Sequence, residues 1–365
     1  MKKLLLLGAY GQDNLGDELL LKTFLDLFQD YRITANSSSA DATADKFNIP
    51  VFPTDGSKFT LLKHLLQSSV VVVGGGSQFK ELPAVFGRNK NGVLFSLLLI
   101  ACICRITFKK FYCISVGAGP LDGRASRLLT RVIIRLSSAV ILRDSGSLEL
   151  IRSITKSEKV HLGADALFFA ADSVRKQIKN VHREEKSVLM VPNLHTRSED
   201  LAGYQTGAYA ALCEYLLAEG FTIRFLPFQS SFTEHNDLVA AKTIISRVKG
   251  LDESAILSIS SDTDVYTVFA QHTLVVGVRL HSLIIAALTG TPMMALSYDP
   301  KVTGFMNDIG MAGYNFELTD MPAHKTLRDE LLSLYNKRAE AHARITAAVT
   351  DLSARNRLAF DSLTV

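Results

Sequence analysis

The chain has 365 residues, of which 47% are apolar and 21% are charged, and this composition excludes a disordered or fibrous protein. Its length exceeds one comfortable hydrophobic core, so we expect two domains. The 40 basic and 36 acidic residues leave a net charge of +4. Because these charges are scattered, they argue against a nucleic-acid partner or steering to an anionic membrane, and any bound anion should be small and locally held.

Short apolar runs in the first half end in glycine or polar loops and alternate with helical spacing, which is typical of a parallel sheet. The opening MKKLLLLGAYGQ is too short in its apolar part for a signal peptide and predicts the first strand. The apolar run 93–104 is shorter than the roughly 20 residues of a membrane span and predicts a buried helix. The predicted strands are 3–7, 32–35, 70–73, 111–116, 139–142 and 159–162, with helices including 17–29 and 124–136.

The charged run 172–187 breaks this rhythm, and we interpret it as a linker. A second series of strands follows at 188–192, 222–227, 255–258, 273–278 and 292–297, and then a helical tail over 327–358. The predicted fold class is α/β, with two doubly wound Rossmann-like domains facing a cleft. We expect domains at 1–175 and 186–326 and a tail at 327–365.

Four cysteines show neither CxxC pairs nor histidines at zinc spacing. We interpret them as reduced core residues of a cytoplasmic protein. They are Cys102, Cys104, Cys113 and Cys213.

Loops that follow parallel strands are candidate ligand sites, since ligands bind at the carboxyl ends of such strands. GAYGQDNLGDELLL follows the first strand, and either Asn14 or Asp17 fits a helix cap there. A plain turn and a ligand loop both fit this segment, whose spacing is not the GxGxxG of a dinucleotide site. Gly74, Gly75 and Gly76 follow four valines, and we favour a ligand loop over close packing because three adjacent glycines are costly without a use.

Charged residues also follow two later strands of the first half. Arg143 and Asp144 could form a mutual ion pair or bind an anion, and both interpretations stay open. Asp165 is better explained as a helix cap.

The strongest pattern is GVRLHSLIIAALTGTPMMALSYDPKV at 277–302. Arg279 and His281 are two residues apart, so an extended backbone would project both to one side before a helix begins at Ser282. The next parallel strand ends before Lys301, and a right-handed crossover brings both strand ends to the same edge of the sheet. We therefore predict one pocket for a compact, multiply charged anion, with a histidine suited to proton transfer.

Other polar residues follow strands of the second half. His195 is open between a site and a structural role, whereas Gln229 is better explained structurally. His235 and Asp237 lack further metal ligands, so we reject a metal site and expect no cofactor.

Several segments resemble the polysaccharide pyruvyl transferases, which form pyruvate ketals on bacterial cell-surface glycans. The 277–302 segment is the most specific, because RLH combined with YDPKV is hard to reach by chance. The resemblance implies a GT-B-like fold, phosphoenolpyruvate as donor and release of phosphate. The other segments are GAYGQDNLGDE at 8–18, GGG at 74–76, GAGPL at 117–121, LRDSGS at 142–147 and GADALF at 163–168.

The resemblance also implies roles for the donor site on the second domain. Arg279, Lys301 and Arg143 match cationic positions that would neutralise the phosphate and carboxylate of phosphoenolpyruvate, and His195 is a further donor candidate. His281 is the hypothesised general acid, which would protonate the methylene carbon of the donor.

The acceptor is expected on the first domain, as a sugar of a cell-surface polysaccharide or of its lipid-linked precursor. Asp13 or Asp17 is the hypothesised base for its hydroxyl. Four residues are predicted to contact it, with Glu81 standing in for an aspartate that relatives carry after the glycine triplet: Asn14, Gly75, Gly76 and Glu81.

Two other functions stay open: a GT-B glycosyltransferase that uses a nucleotide sugar, and a non-catalytic protein that binds anionic metabolites. The region after the strand at 273–278 lacks the paired glutamates of many such glycosyltransferases. Contact with the inner face of the membrane is expected to be peripheral at most.

Overall fold

The computed structural model describes residues 1–82, 89–194, 199–229, 236–258, 264–320 and 322–363. The chain divides into two compact units, each built on a parallel sheet. The first unit comprises Met1–Gln12, Asp17–Ala170 and Leu352–Val365. The second comprises Asp13–Gly16 and Ala171–Asp351.

The strands of the first unit are β1 (Lys3–Leu7), β2 (Arg32–Ser37), β3 (Val51–Pro53), β4 (Val70–Gly74), β5 (Ser77–Phe79), β6 (Lys110–Ala118), β7 (Ala139–Leu142) and β8 (Val160–Leu162). Its helices are α1 (Leu15–Leu27), α2 (Ala40–Phe47), α3 (Lys58–Gln67), α4 (Gly92–Ile106), α5 (Arg124–Leu136) and α6 (Ser145–Ile154). The strand order is β3-β2-β1-β4-β6-β7-β8, with β5 paired to β6. The six predicted strands are confirmed, and the prediction lacks only β3 and β5, each three residues long.

The strands of the second unit are β9 (Ser187–Val191), β10 (Thr222–Phe225), β11 (Leu274–Gly277), β12 (Met293–Ser297) and β13 (Asn315–Glu317). Its helices are α7 (Ala171–Gln177), α8 (Glu199–Ala218), α9 (Asp237–Ile245), α10 (Val265–Gln271), α11 (Leu280–Leu288), α12 (Pro300–Asp308) and α13 (His324–Asn336), while α14 (Arg338–Asp361) spans both units. The strand order is β10-β9-β11-β12-β13, and every pairing is parallel.

Both sheets are buried on both faces, as continuous apolar strands require. Leu5, Val71 and Val140 are fully enclosed in the first sheet, and Leu189 and Val275 are fully enclosed in the second. The strand order reverses between β1 and β4 in the first sheet and between β9 and β11 in the second. Such a reversal opens a crevice at the carboxyl ends of the strands, where ligands of this fold class bind.

Two predicted elements of the second half are wrong. The strand at 255–258 is instead a short 3-10 turn, Glu253–Ala255, followed by a single bridge from Ile256 to Phe225. The side chain of Asp252 accepts a hydrogen bond from the backbone N–H of Ser254, and this bond stabilises a turn in place of a strand. The predicted linker 172–187 begins inside α7, because its first residues contain no helix breaker.

The predicted tail 327–365 is helical, but its residues are divided between the two units. The buried side chain of Asn356 explains the attachment of the last segment: it accepts from the backbone N–H of Ala164 and donates to the carbonyl of Asp165. Phe360 also packs edge-on against Phe28 and Phe169.

The helix predicted from the run 93–104 is present as α4, but it is not buried all round. Phe95, Leu99 and Ile106 lie exposed along one side, whereas Leu94 and Ala101 face the core. Within the described ranges, none of the helices combines the length and apolar character that a membrane crossing requires. The four cysteines are free thiols, and three of them are buried.

Candidate functional site

A buried ion pair lies just beyond the carboxyl end of β11. Arg279 directly precedes α11, and its guanidinium donates from Nε to Asp237 Oδ2 at 2.9 Å and from Nη2 to Asp237 Oδ1 at 3.0 Å. Asp237 is completely buried, while 19% of the Arg279 side chain remains exposed. Nη2 also donates to Gln229 Oε1 at 3.0 Å. This paired geometry fixes the plane of the guanidinium.

The Asp237 carboxylate gathers donors from three parts of the second unit. Asn193, which follows β9, donates to Oδ1 at 2.8 Å, and the backbone N–H groups of Phe228 and Gln229 each donate to Oδ2 at 3.0 Å. Asp237 is the first residue of α9, held there by the cap that Asn236 provides. A buried carboxylate with this many donors has its hydrogen-bonding capacity satisfied and holds the arginine that it binds in one orientation.

The loop after β12 joins this network through Tyr298. Its hydroxyl donates to Asn193 Oδ1 at 2.9 Å. Burial raises the pKa of Tyr298, the positive charge of Arg279 opposes that shift, and the negative charges of Asp299 and Asp237 add to it. Tyr298 therefore acts as a neutral hydrogen-bond donor that connects two strand ends.

His281 packs against the backbone of Gly16. A Cβ added at Gly16 would lie 2.1 Å from Nδ1 of the imidazole, so this position has room for glycine alone. The Nε2 atom of the same ring is screened from solvent. The predicted extended arrangement of Arg279 and His281 is wrong, because α11 begins at Leu280 rather than at Ser282 and His281 lies in its first turn.

The segment Asp13–Gly16 belongs by its contacts to the second unit. Asn14 forms an antiparallel bridge with Gln229, and Leu15 donates its N–H to the carbonyl of Phe228 at 3.0 Å. Asp13 adopts a left-handed backbone conformation with φ +47°. Since Gln229 also binds Arg279, the structure brings Asn14, Arg279 and His281 into one neighbourhood.

Lys301 lies in the first turn of α12, behind Asp299 and Pro300. The predicted parallel pairing of the two strands is confirmed, because β11 and β12 are adjacent. The ammonium of Lys301 forms an ion pair with Asp299 at 2.8 Å and the side chain is 42% exposed. A pocket shared by Lys301, Arg279 and His281 remains a prediction.

Arg143 lies in the first unit and is buried among polar partners. Its Nη2 donates to Ser77 Oγ at 3.0 Å, Nε contacts Asp144 at 3.4 Å, and Nη1 lies 4.0 Å from Asp165. Asp144 itself caps α6 through the N–H of Ser147, and Asp165 accepts from the N–H of Leu167. The predicted ion pair between Arg143 and Asp144 is therefore present. The role of Arg143 in binding the donor remains a prediction.

The glycine triplet has conformational and packing reasons of its own. Gly75 and Gly76 have φ values of +68° and +69°, which favour glycine, and a Cβ at Gly74 would collide with the ring of Phe24. Tyr10, whose hydroxyl donates to the carbonyl of Gly74, has its pKa raised by burial first and by the charge of Asp17 second. Contact of these glycines with an acceptor stays a prediction.

Glu81 is already engaged at the beginning of α5. Its carboxylate accepts from the backbone N–H of Gly123 at 2.7 Å and from the hydroxyl of Ser126, and it forms an ion pair with Lys90 at 3.3 Å. The hydrogen bond from Ser126, followed by that from Gly123, lowers the pKa of Glu81. The carboxylate thus satisfies the N–H of Gly123 and the hydroxyl of Ser126 at a helix start, which is a structural role.

His195, the remaining donor candidate, lies outside the described residues, as does His235.

Residues 14–300 match the model of a family described as polysaccharide pyruvyl transferase. The chain belongs to this family. The matched segment contains Arg143, Asp237, Arg279 and His281 and ends one position before Lys301. As a pyruvyl transferase family member, the chain is 22% identical over 265 residues to the amylovoran biosynthesis protein AmsJ of Erwinia amylovora. That alignment covers 68% of this chain and 61% of the relative, so less than two thirds of the relative is matched.

Solved structures show the fold of this pyruvyl transferase family member to be of the GT-B type. A UDP-GlcNAc 2-epimerase from Neisseria meningitidis superposes with a TM-score of 0.60 at 12% identity, covering 100% of this chain and 99% of that protein. A glycosyltransferase from Rickettsia africae ESF-5 gives 0.57 at 12% identity, covering 98% and 97%. At such low identity, the likeness concerns the fold alone.

Three residues that build the candidate site of this pyruvyl transferase family member were missed by sequence reasoning. Asp237 was considered only as half of a rejected metal pair, and Asn193 and Tyr298 were not considered. Tyr298 lies inside the YDPKV segment, and Asn193 directly follows a predicted strand. The sequence therefore contained reasons to select both as candidate site residues. For Asp237, the only indication in the sequence was its position at the start of a helix.

Proposed function

We propose that this chain is a cytoplasmic enzyme that transfers a pyruvyl group from phosphoenolpyruvate to a sugar of a cell-surface polysaccharide or its lipid-linked precursor. The products would be a cyclic pyruvate ketal and phosphate. Family membership supports transfer to a polysaccharide. The observation that carries the proposal further is the guanidinium of Arg279, held by Asp237 at the point where the strand order of the second sheet reverses.

The donor needs cationic and N–H groups for a phosphate and a carboxylate. Among the described residues, the hydrogen bonds of Arg279 use Nε and Nη2, so Nη1 is available to an anion. The beginning of α11, next to Arg279, adds a favourable helix dipole. The beginning of α12 adds its dipole and the ammonium of Lys301, because Pro300 has no N–H and the N–H of Lys301 already donates to Asp299. Arg143 and His195 remain candidates for further donor contacts.

The reaction divides into two additions at C2 of the donor. His281 protonates the methylene carbon, which gives an oxocarbenium-like C2, and a first sugar hydroxyl forms a bond to it as its proton passes to a base. The bond from C2 to the phosphate oxygen then breaks, and cations stabilise the departing phosphate. A second hydroxyl of the same sugar adds to C2 and closes the ketal as it loses its proton. Of the two hydroxyl protons, one restores the proton that His281 gave to the methylene carbon and the other leaves with the phosphate as hydrogen phosphate.

Asp13 is the base that we favour over Asp17. The segment Asp13–Gly16 shares a unit with His281, and Gly16 contacts its imidazole, whereas Asp17 groups with the first unit. Asn14, Gly75 and Gly76 are the proposed acceptor contacts. Glu81 is the least suited of the four candidates, since its carboxylate is already committed to α5.

Phosphate release from phosphoenolpyruvate, measured with a panel of free and lipid-linked saccharides, tests this function. Wild type should release phosphate only when a suitable acceptor is present, and His281→Gln should lower the rate by about 100-fold or more. A near wild-type rate in both His281→Gln and His281→Ala would remove the acid role. Thermal stabilisation by nucleotide sugars but not by phosphoenolpyruvate would instead favour a glycosyltransferase, and binding of phosphoenolpyruvate without turnover would favour a metabolite-binding protein.

A further inference from the structure

A cationic pocket of about 530 Å³ lies at the amino edge of the first sheet, opposite to the edge where the strands of that sheet end. It lies where β6, β7 and β8 begin and where α4 and α5 end. We call this region, together with the adjacent end of α3, the amino-edge patch. Its residues are Leu66, Arg105, Ile106, Phe108, Lys109, Lys110, Arg135 and Lys159.

Two of the lysines have a structural role that brings positive charges together. Lys109 donates to the carbonyls of Leu66 and Ser68, and Lys159 donates to the carbonyls of Arg135 and Ser137, so each ammonium caps the end of a helix. These bonds hold the lysines in place without neutralising them.

Four positive charges of the patch form no ion pair with any carboxylate of the described residues. In the described ranges, Arg105, Lys109, Arg135 and Lys159 have none within ion-pair distance, and the sequence 82–121 contains no aspartate or glutamate. Burial, followed by the charges of Arg105 and Arg135, lowers the pKa of Lys159. Mutual repulsion of this kind is relieved when an anion enters the pocket.

Large apolar side chains project beside these charges. Ile106, the last residue of α4, is 75% exposed, and Phe108, two positions later, is 89% exposed. Phe108 has a φ of +55°, a left-handed conformation that is strained for any residue with a side chain, so the chain turns an aromatic ring outward at a position suited to glycine. Exposed Leu99 and Phe95 continue the apolar surface along α4, and Leu66 ends a similar row on α3.

We propose that the amino-edge patch docks the protein on a membrane that contains anionic phospholipids. The cationic pocket takes lipid phosphate groups, and Phe108 and Ile106 enter the interfacial region of the bilayer. This inference goes beyond the proposed function, because it concerns where the protein binds rather than what it transfers. The exposed apolar side chains favour a bilayer over free phosphate, and the concentration of positive charge favours it over another protein. The small net charge and the scattered charges of the sequence argued against attraction to an anionic membrane. The proposal revises that expectation, because the fold brings several of these positive charges together at one edge of the first sheet.

Vesicle flotation of the full chain tests the proposal with two kinds of vesicle, phosphatidylcholine alone and phosphatidylcholine mixed equally with phosphatidylglycerol. Wild type should float only with the mixed vesicles, and salt should weaken this binding. Arg105→Gln with Arg135→Gln should lower the partition coefficient by about fivefold for each charge removed. Arg247→Gln with Lys249→Gln removes two exposed charges from the second unit and should leave it unchanged.

Phe108→Gly is the sharpest variant, since it removes the ring while giving the left-handed position the residue it favours. Its thermal stability should be equal to or above wild type, and its vesicle binding should fall several-fold. The exposed Val239 provides the matched control as Val239→Ser.

Three outcomes would overturn the proposal. In the first, wild type fails to float with anionic vesicles while inorganic phosphate still stabilises it, which would indicate a free-anion site. In the second, Phe108→Gly and the double arginine variant bind vesicles as wild type does. In the third, the same variants abolish self-association in the absence of lipid, which would make the patch a protein interface. Phosphate release with a soluble saccharide should be unchanged in every patch variant, so failure here is distinguishable from failure of the proposed reaction.

Discussion

Asp237 holds Arg279 through two hydrogen bonds while its second oxygen also accepts two backbone N–H groups. One buried carboxylate therefore fixes both the backbone at Phe228 and Gln229 and the orientation of the guanidinium after β11. In the proposed donor site, this fixed guanidinium would lower the entropic cost of binding an anion.

Replacing Asp237 by Asn should destabilise the fold by about 3 kcal/mol. The NH₂ group of the new amide would face groups that are themselves hydrogen-bond donors, and Arg279 would lose its counter-charge. This cost is at the lower end of the range for buried ion pairs, because part of Arg279 is exposed. Urea unfolding measures the change. Asp299→Asn removes the exposed pair with Lys301 and should cost about 1 kcal/mol or less. Equal losses in the two variants would contradict the role of Asp237.

Gly16→Ala should displace the imidazole of His281, because the added Cβ would lie 2.1 Å from Nδ1. Phosphate release should fall about as far as in His281→Gln, and the NMR resonances of the His281 ring should shift even without substrate. Gly203→Ala is the control, since a Cβ there meets nothing within 4 Å and lies inside α8, where alanine should stabilise by about 0.5–1 kcal/mol. An unmoved His281 resonance in Gly16→Ala would refute the packing argument.

Sequence periodicity predicted the α/β class and most strands because each strand is a continuous buried run. Arg279 and Lys301 were predicted as site residues for the same reason, since charges at the ends of such runs stand out. Asp237 could not be found in this way, because its partner lies in another strand–helix unit and the pairing depends on the fold. The beginning of α11 was misjudged because Leu280 fits either a strand end or a helix start, and only the backbone decides which.

The exposed side of α4 shows the same limit in another form. A run of apolar residues predicts a helix, but it does not reveal that Phe95 and Leu99 face outward while Leu94 faces the core. Burial of a uniformly apolar helix depends on what packs against it.

Acid should weaken the tie between Glu81 and the beginning of α5. Because its folded-state pKa lies below the ordinary 4.5, the stabilisation is fully present above that pH and is lost as pH falls through the folded-state pKa. Wild type and Glu81→Gln should therefore differ in free energy of unfolding at neutral pH and converge in acid. Urea unfolding across pH measures this, with Glu253→Gln, which removes an exposed pair with Lys242, as control. A difference that does not depend on pH would exclude the charge as its source.

Asn356→Ala should loosen the last segment of the chain from the first unit. It leaves the buried N–H of Ala164 and the carbonyl of Asp165 without their partner, at a cost of about 1–3 kcal/mol. Asn356→Asp should cost more, because it adds a buried charge that faces the carbonyl of Asp165. Asn336→Ala, at an exposed helix end, should change stability by about 0.5 kcal/mol or less. Hydrogen exchange should locate the effect. Amides of 352–363 should exchange faster than wild type in Asn356→Ala and at the wild-type rate in Asn336→Ala. Equal exchange rates in the two variants would mean that Asn356 does not attach this segment.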